Sequence, residues 1–376
     1  MKRINIRPLS LLITIFLSIG ISQGKLQVQS SVSVNSNEKL IIQSDGVCIV
    51  ENTKITKGVK RFSTAKNIVS AFNMEKKSIG IISHVKSFTY QFTNIDSDFK
   101  ILSTFDFEII RDLGFPQIHR GANNQYLFLN PVEQIVTIYN DRGDQIVQKS
   151  LFDNNDFDHE KRLFFIQGTE NDYDLILAQE EATGNKNSSY LFALTKNVQF
   201  SSVIPIQLSL PYHGILTQNN VLGVTGTSFT NTYQDAIHKI LLYDLTSNSL
   251  IKNIEVPSPP KIFTKGTNQI YSVTNKDFRI LSDDGLVSTK YEFSEEMVPF
   301  DFHLSNSTYY VLGGINPEYT NGSIQYSQGI LYRIRDGKST EFSVVHNSSI
   351  LQGGFISENA QFCIRTSDKI FFYDLP

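Results

Sequence analysis

Short stretches in which apolar and polar residues alternate make up most of the chain. Alternation of this kind places the apolar side chains on one face of a β-strand. Few stretches show the 3.6-residue apolar period of an amphipathic helix. The pattern therefore predicts an all-β protein, with almost no helix after the first 24 residues.

Four alternating stretches follow one another between Phe115 and Phe152. They read PQIHRG, NQYLFLN, QIVTIYN and QIVQKSLF, and the sequence DRGD separates the last two. Asp and Gly readily adopt the positive φ values that tight hairpin turns require. We therefore predict a four-stranded antiparallel unit here, and a second one over residues 259–293.

The third strand of this unit has counterparts along the chain, including GVCIVEN from Gly46 and KIFFYDLP from Lys369. If Val50 and Tyr373 are equivalent positions, seven intervals of about 46 residues separate them, a period typical of four-stranded propeller blades. The repeats resemble the β-propeller superfamily. This resemblance implies one β-propeller domain over residues 25–376, with seven or eight four-stranded antiparallel blades. A pair of β-sandwiches and a solenoid are the all-β alternatives.

The resemblance does not extend to an individual propeller family. The chain has no tryptophan, so it lacks the Trp-Asp signature of WD40 repeats and the tryptophan-docking motif of quinoprotein propellers. The stretch YYVLGGIN, Tyr309–Asn316, is similar to a kelch strand, but it occurs once and no tryptophan follows it.

The last unit, residues 350–376, supplies only three strands before the chain ends. We expect KLQVQSSVSV, Lys25–Val34, to provide its fourth strand and so to close the ring. Cys48 lies in the first unit and Cys363 in the last, which are neighbours in a closed ring. A disulfide between them is one expectation, favoured by an oxidising compartment; two separately buried thiols are the other.

The first 24 residues have the features of a secretory signal. Lys2, Arg3 and Arg7 precede the apolar run Leu9–Ile21, and small residues precede a cut after Gly24. The run would form about 20 Å of helix, whereas a hydrocarbon core is about 30 Å thick. We predict a secreted or extracytoplasmic protein with no stable membrane insertion after cleavage; a retained anchor is the alternative.

The charge balance argues against a nucleic-acid partner. The formal net charge is −3, from 34 Lys and Arg against 37 Asp and Glu, and no run of basic residues occurs. Nucleic-acid binders carry a basic patch that neutralises phosphates. We therefore expect a protein, peptide or glycan partner.

Motifs for catalysis are absent from the sequence. It has no G-x-S-x-G nucleophile elbow and no H-E-x-x-H zinc motif. His119, His213 and His303 each follow a proline closely, in the predicted first strands of alternate units. Because that strand is innermost in a propeller, three imidazoles facing a channel would suit a transition metal, with Asp301 orienting a ring. Isolated histidines, hydrogen-bonded to backbone or solvent, are the alternative.

No catalytic residue and no cofactor is otherwise predicted, so a non-catalytic binding platform is the favoured function. Loops on a rigid scaffold carry recognition, and tyrosine combines contact area with a hydrogen-bonding tip. The candidate binding residues are Tyr233, Tyr319 and Tyr326. They lie in two long tyrosine-bearing segments that we predict as loops, Thr227–His238 and Asn316–Gln328, the second within a predicted long loop Gly314–Gly329. A metal-assisted hydrolase or lyase in the channel, and a structural component of an extracellular assembly, are the alternatives.

Overall fold

The structure is a computed structural model of the 376-residue chain. It describes residues 26–35, 38–75, 77–109, 115–121, 124–130, 135–150, 162–166, 173–180, 188–195, 200–217, 219–229, 236–320, 322–344 and 348–376. The predicted signal lies outside these residues. No helix within them has the length and apolar character needed to cross a membrane.

The chain divides into two compact units. One unit is Asn37–Glu296, and the other consists of Met297–Pro376 with Met1–Ser36. The prediction of one domain over residues 25–376 stays a prediction, and each unit is described by itself.

The unit Asn37–Glu296 contains six sheets, each made of four antiparallel strands that are consecutive in the chain. The first three sheets are formed by β2 (Lys39–Gln43), β3 (Gly46–Val50), β4 (Lys54–Lys57) and β5 (Lys60–Ser63); by β6 (Ile68–Glu75), β7 (Ser78–Lys86), β8 (Thr89–Ile95) and β9 (Ile101–Glu108); and by β10 (Gln117–Arg120), β11 (Tyr126–Asn130), β12 (Ile135–Tyr139) and β13 (Gln145–Ser150). The other three are formed by β14 (Arg162–Ile166), β15 (Tyr173–Glu180), β16 (Ser188–Thr195) and β17 (Phe200–Ile206); by β18 (Leu210–Leu216), β19 (Val221–Phe229), β20 (Ala236–Asp244) and β21 (Ser249–Val256); and by β22 (Ile262–Lys265), β23 (Gln269–Val273), β24 (Asp277–Ser282) and β25 (Val287–Glu292).

Burial along the strands follows their place in each sheet. β7 begins with six consecutive buried residues, because a second strand is covered on both faces. β9, the fourth strand of the same sheet, alternates strictly between exposed and buried residues from Leu102 onward. Alternating sequence therefore indicates strands with one covered face, and the continuous apolar runs indicate strands inside the packed sheets.

The core of this unit lies between successive sheets. First strands of neighbouring sheets contact one another, as β2 does with β6, β6 with β10, and β18 with β22. The second and third sheets share an aromatic cluster that includes Phe92, Phe105, Tyr126 and Phe128. Four-stranded antiparallel sheets that pack against their neighbours in chain order are the architecture of a β-propeller. The predicted all-β propeller fold is therefore confirmed.

The second unit contains one eight-stranded sheet. Its strands are β1 (Ser30–Ser33), β26 (Val298–Ser305), β27 (Thr308–Thr320), β28 (Ser323–Arg335), β29 (Lys338–Val344), β30 (Ile350–Ile356), β31 (Gln361–Thr366) and β32 (Lys369–Asp374), with a turn of 3-10 helix at Ser357–Asn359.

A single residue pair makes this sheet continuous. β29 pairs with β28 only from Gly329 onward, so the earlier part of β28 is open on that side, and its Tyr326 pairs with Ile350 of β30. Two runs of four strands are thereby joined. The predicted series of seven or eight separate four-stranded blades is wrong at this sheet, because β28 extends beyond β29 and pairs with β30.

The amino-terminal strand completes the last run of strands. β1 pairs antiparallel with β32, with Ser30 opposite Phe372 and Ser33 opposite Lys369. The prediction that the Lys25–Val34 segment supplies the missing fourth strand is therefore confirmed for Ser30–Ser33.

Candidate functional site

The segment Gly314–Gly329, predicted as a long loop, is a regular β-hairpin. β27 and β28 are each 13 residues long and pair from Tyr309 with Ile334 as far as Thr320 with Ser323. The sequence contains the signal for this in its Asn-Gly pair at residues 321–322, the strongest short-range indication of a two-residue hairpin turn. The loop prediction is wrong because the polar composition concealed two extended strands.

The end of this hairpin is solvent-exposed on both strands. Residues 316–320, Ser323 and Ile324 are exposed, and together with Gly322 they define the hairpin tip. Tyr319 is 78% exposed and Ile324 is 53% exposed. These two residues lie directly opposite each other in the strand register, where side chains are in contact range. The hairpin tip therefore presents a phenol ring and an aliphatic side chain as one apolar patch.

Tyr326, the second candidate binding residue, does not belong to this patch. Its side chain is only 6% exposed, and its ring packs edge-on against Phe300 with centroids 4.9 Å apart. Burial raises the pKa of the Tyr326 phenol. The prediction of Tyr326 as an exposed contact is wrong, because its pairing with Ile350 places it where β30 joins the sheet.

Tyr233, the third candidate, lies outside the described residues. At the base of its segment, the hydroxyl of Thr227 lies 2.8 Å from Nδ1 of His238 and 2.9 Å from the hydroxyl of Tyr212. Partial burial lowers the pKa of His238, which favours the neutral ring. These polar groups satisfy one another and orient the His238 ring between β19 and β20.

The three candidate metal ligands lie where the sequence predicts, on the first strands of alternate sheets. His119 is on β10, His213 on β18 and His303 on β26. Within the residues that the structure describes, however, no group of three or more His, Cys, Asp or Glu side chains is arranged to hold a metal ion. His119 and His213 belong to the unit Asn37–Glu296 and His303 to the other unit, so the three-histidine site stays a prediction.

The surroundings of His303 show what this ring does instead. It lies opposite Tyr310 in the register of β26 and β27, with the ring centroids 6.3 Å apart. On another side its centroid is 5.6 Å from that of Phe355. Burial lowers the pKa of His303. The imidazole is packed as an aromatic ring within its own sheet.

Asp301, proposed from the sequence to orient a metal-bound histidine, binds backbone instead. Its carboxylate accepts hydrogen bonds from the backbone N–H groups of Phe302 and Phe355, both at 2.8 Å. Burial raises the pKa of this carboxyl to about 6. Although the residue as a whole is partly exposed, its carboxylate links β26 to β30.

Cys48 and Cys363 are both free thiols, and both are fully buried. Burial raises the pKa of Cys48 to about 11 and that of Cys363 to about 12. The Cys48 thiol lies 3.5 Å from Oε1 of Gln43. The structure thus contains the second of the two sequence expectations, separate buried thiols, and not the disulfide.

Comparison with known proteins yields neighbours in fold only. No protein-family model matches the chain, and no curated protein does. The solved structure of Sqt1 from Saccharomyces cerevisiae is similar with a TM-score of 0.57 and 10% identity, covering 94% of this chain and 100% of that one. The structure of BamB from Moraxella catarrhalis is similar with a TM-score of 0.55 and 9% identity, covering 93% and 99%. Identities this low establish the shared fold alone.

Proposed function

We propose that this protein is a secreted, non-catalytic β-propeller that binds a protein or peptide partner through the hairpin tip. The observation that carries the proposal is the directly opposed pair of Tyr319 and Ile324, which are 78% and 53% exposed. A partner that covers both side chains would remove their apolar surface from water, which favours binding. Tyrosine is also enriched at interfaces, because its ring supplies area and its hydroxyl a hydrogen bond.

The charge of the hairpin tip defines the kind of partner. Between Ile315 and Gln328 the sequence contains one charged residue, Glu318. Long-range electrostatic attraction therefore contributes little to association here. Recognition rests on apolar contact in the centre with hydrogen bonds around it, which suits a weakly charged protein surface or peptide. A glycan stacked on the Tyr319 ring is the other ligand of this chemistry.

The strand register supplies the rigidity that such a site requires. Paired strands hold Tyr319 and Ile324 in place, so that binding orders few additional groups. Below the tip, the Tyr326 and Phe300 rings pack in the base of the hairpin. The patch is therefore held on a two-stranded arm with a packed base.

A capture experiment with matched variants tests this function. Wild-type protein, the double variant Tyr319→Ala/Ile324→Ala and the control Leu286→Ala are immobilised and exposed to extracytoplasmic extract of the source cells. Leu286 is 61% exposed in a turn of the other unit, so the control removes a similar apolar side chain elsewhere.

We expect the double variant to lose about thirtyfold in affinity for the captured partner, as removal of a central contact pair does. The control should bind like the wild type. Equal binding by the double variant and the wild type would contradict a role of the hairpin tip.

The location of the protein is tested separately by sequencing the amino terminus of the mature chain. We expect it to begin at Lys25, because the signal is removed after Gly24. A mature chain that retains Met1 inside the cell would contradict secretion, without bearing on the hairpin tip.

A further inference from the structure

A cavity of about 370 Å³ lies between the second and third sheets, where β9 faces β12 and β13. Its lining includes the aromatic residues Phe107, Phe128 and Tyr139 and the acidic residues Asp106 and Glu108. This volume suits a small ligand. The cavity belongs to the unit Asn37–Glu296 and shares no residue with the hairpin tip.

The aromatic residues of the cavity lining pack against one another in T-shaped pairs. Phe128 and Tyr139 are T-shaped, with centroids 4.9 Å apart and planes at 70°. Phe107 and Phe128 are also T-shaped, at 5.0 Å and 69°. Because the face of an aromatic ring carries partial negative charge, such an arrangement favours a cation and disfavours an anion.

The acidic residues of the cavity lining also favour a cation over an anion. Asp106 and Glu108 occupy alternate positions on the exposed face of β9. Among the described residues that line the cavity there is no Lys, Arg or His. Asp106 accepts a hydrogen bond from Gln91 and lies 3.9 Å from Nζ of Lys66, but Glu108 forms no ion pair with any described residue.

The environment of Tyr139 is consistent with an uncompensated negative charge. Burial, and after it the nearby Glu108 carboxylate, raise the pKa of the Tyr139 phenol. The hydroxyl therefore stays protonated and available for hydrogen bonding at neutral pH. Thr137, Gln145 and Gln148 add further polar groups to the lining.

We propose that this cavity binds an organic ammonium ion, which contacts the Phe128 and Tyr139 rings and pairs with Glu108. A neutral polyol would gain no ionic attraction from Glu108, and an anion would be repelled by both carboxylates. The ammonium group has two sources, a free small amine or the side chain of a lysine in a peptide.

Calorimetric titration of the full-length mature protein tests the proposal. The probes are n-butylammonium, its neutral analogue n-butanol and a short peptide with one lysine and blocked ends. The variants are Glu108→Gln, which keeps the shape and removes the charge, and the control Glu318→Gln, which removes an exposed carboxylate at the hairpin tip. Both changes lie at exposed positions, so neither compromises folding.

We expect butylammonium to bind the wild type and the Glu318→Gln control equally, to bind Glu108→Gln about tenfold more weakly, and to be preferred over butanol. A peptide that binds more tightly than butylammonium identifies a lysine side chain as the source, and the reverse order identifies a free amine. Equal affinity for Glu108→Gln and the wild type, or for butanol and butylammonium, would overturn the proposal.

Discussion

Tyr319 and Tyr326 lie in the same hairpin, yet one side chain is 78% exposed and the other 6%. Their pairing partners, Ile324 and Pro317, are both apolar, so the local sequence does not distinguish them. The difference is the third strand: Tyr326 also pairs with Ile350 of β30, whereas Tyr319 lies beyond that pairing. A tyrosine in this hairpin is therefore buried where a third strand pairs with the hairpin and exposed where the hairpin extends beyond that strand.

Two glycines of the hairpin show the same contrast. A Cβ added at Gly314 would overlap the rings of Tyr326 and Phe300. A Cβ added at Gly322 would meet nothing within 4 Å, but the backbone there has a φ of +79°. Gly314 is required by close packing and Gly322 by the turn.

The largest expected effect comes from Tyr326→Ala. Removing a buried aromatic ring leaves a cavity, so we expect the free energy of unfolding to fall by about 3–5 kcal/mol. Tyr319→Ala should change it by no more than about 0.5 kcal/mol, because the side chain is exposed. Urea unfolding of both variants measures the difference, and equal destabilisation would show that the two environments are not distinct.

A second prediction concerns the buried end of the sheet at Asp301. Its pKa of about 6 lies above the ordinary aspartate value of 3.8, so the folded state binds the proton more tightly than the unfolded state. The stability that this group contributes is complete below pH 3.8 and is lost as the pH rises through 6. The loss amounts to at most about 3 kcal/mol.

Asp301→Asn removes this titration and replaces one acceptor oxygen by an amide donor. The destabilisation caused by the substitution should therefore be larger at pH 4 than at pH 7.5. Denaturant unfolding of variant and wild type at both pH values measures it. A destabilisation that grows with rising pH would contradict the assignment.

The glycine pair provides a third, smaller test. Gly314→Ala should cost about 1–3 kcal/mol through overpacking, and Gly322→Ala about 1 kcal/mol through its left-handed backbone. A smaller side chain at position 326 should relieve the overpacking at Gly314 but not the backbone strain at Gly322. The stability lost in Gly314→Ala should therefore be partly restored by Tyr326→Leu. Absence of any coupling in this double-mutant cycle would contradict contact between the two positions.

The sequence was sufficient for the all-β propeller fold because the repeat and the alternation are local signals, but not for the joined eight-stranded sheet. The strand order around His119 and the return of Ser30–Ser33 to the last sheet follow from counting strands. The position of Tyr326 was not predictable, since it depends on β30, which is more than 20 residues away along the chain. The metal hypothesis meets a similar limit, because strand position in the sequence does not fix the distance between imidazoles in different sheets.

The cavity illustrates the same limit. Glu108 and Tyr139 come from different sheets, and no motif connects them in the sequence. The Asn-Gly pair at residues 321–322, by contrast, was a usable local signal for the hairpin. Features that depend on residues close together in the sequence could be predicted. Features that depend on packing between sheets could not.

Site-specific photo-crosslinking tests the central claim, partner binding through the hairpin tip, most directly. A benzophenone amino acid replaces Tyr319 in one variant and Leu286 in a control, and the source cells are irradiated under native conditions. We predict one discrete adduct with another macromolecule at position 319 and none at position 286. The absence of an adduct at 319, or the same adducts at both positions, would contradict the account.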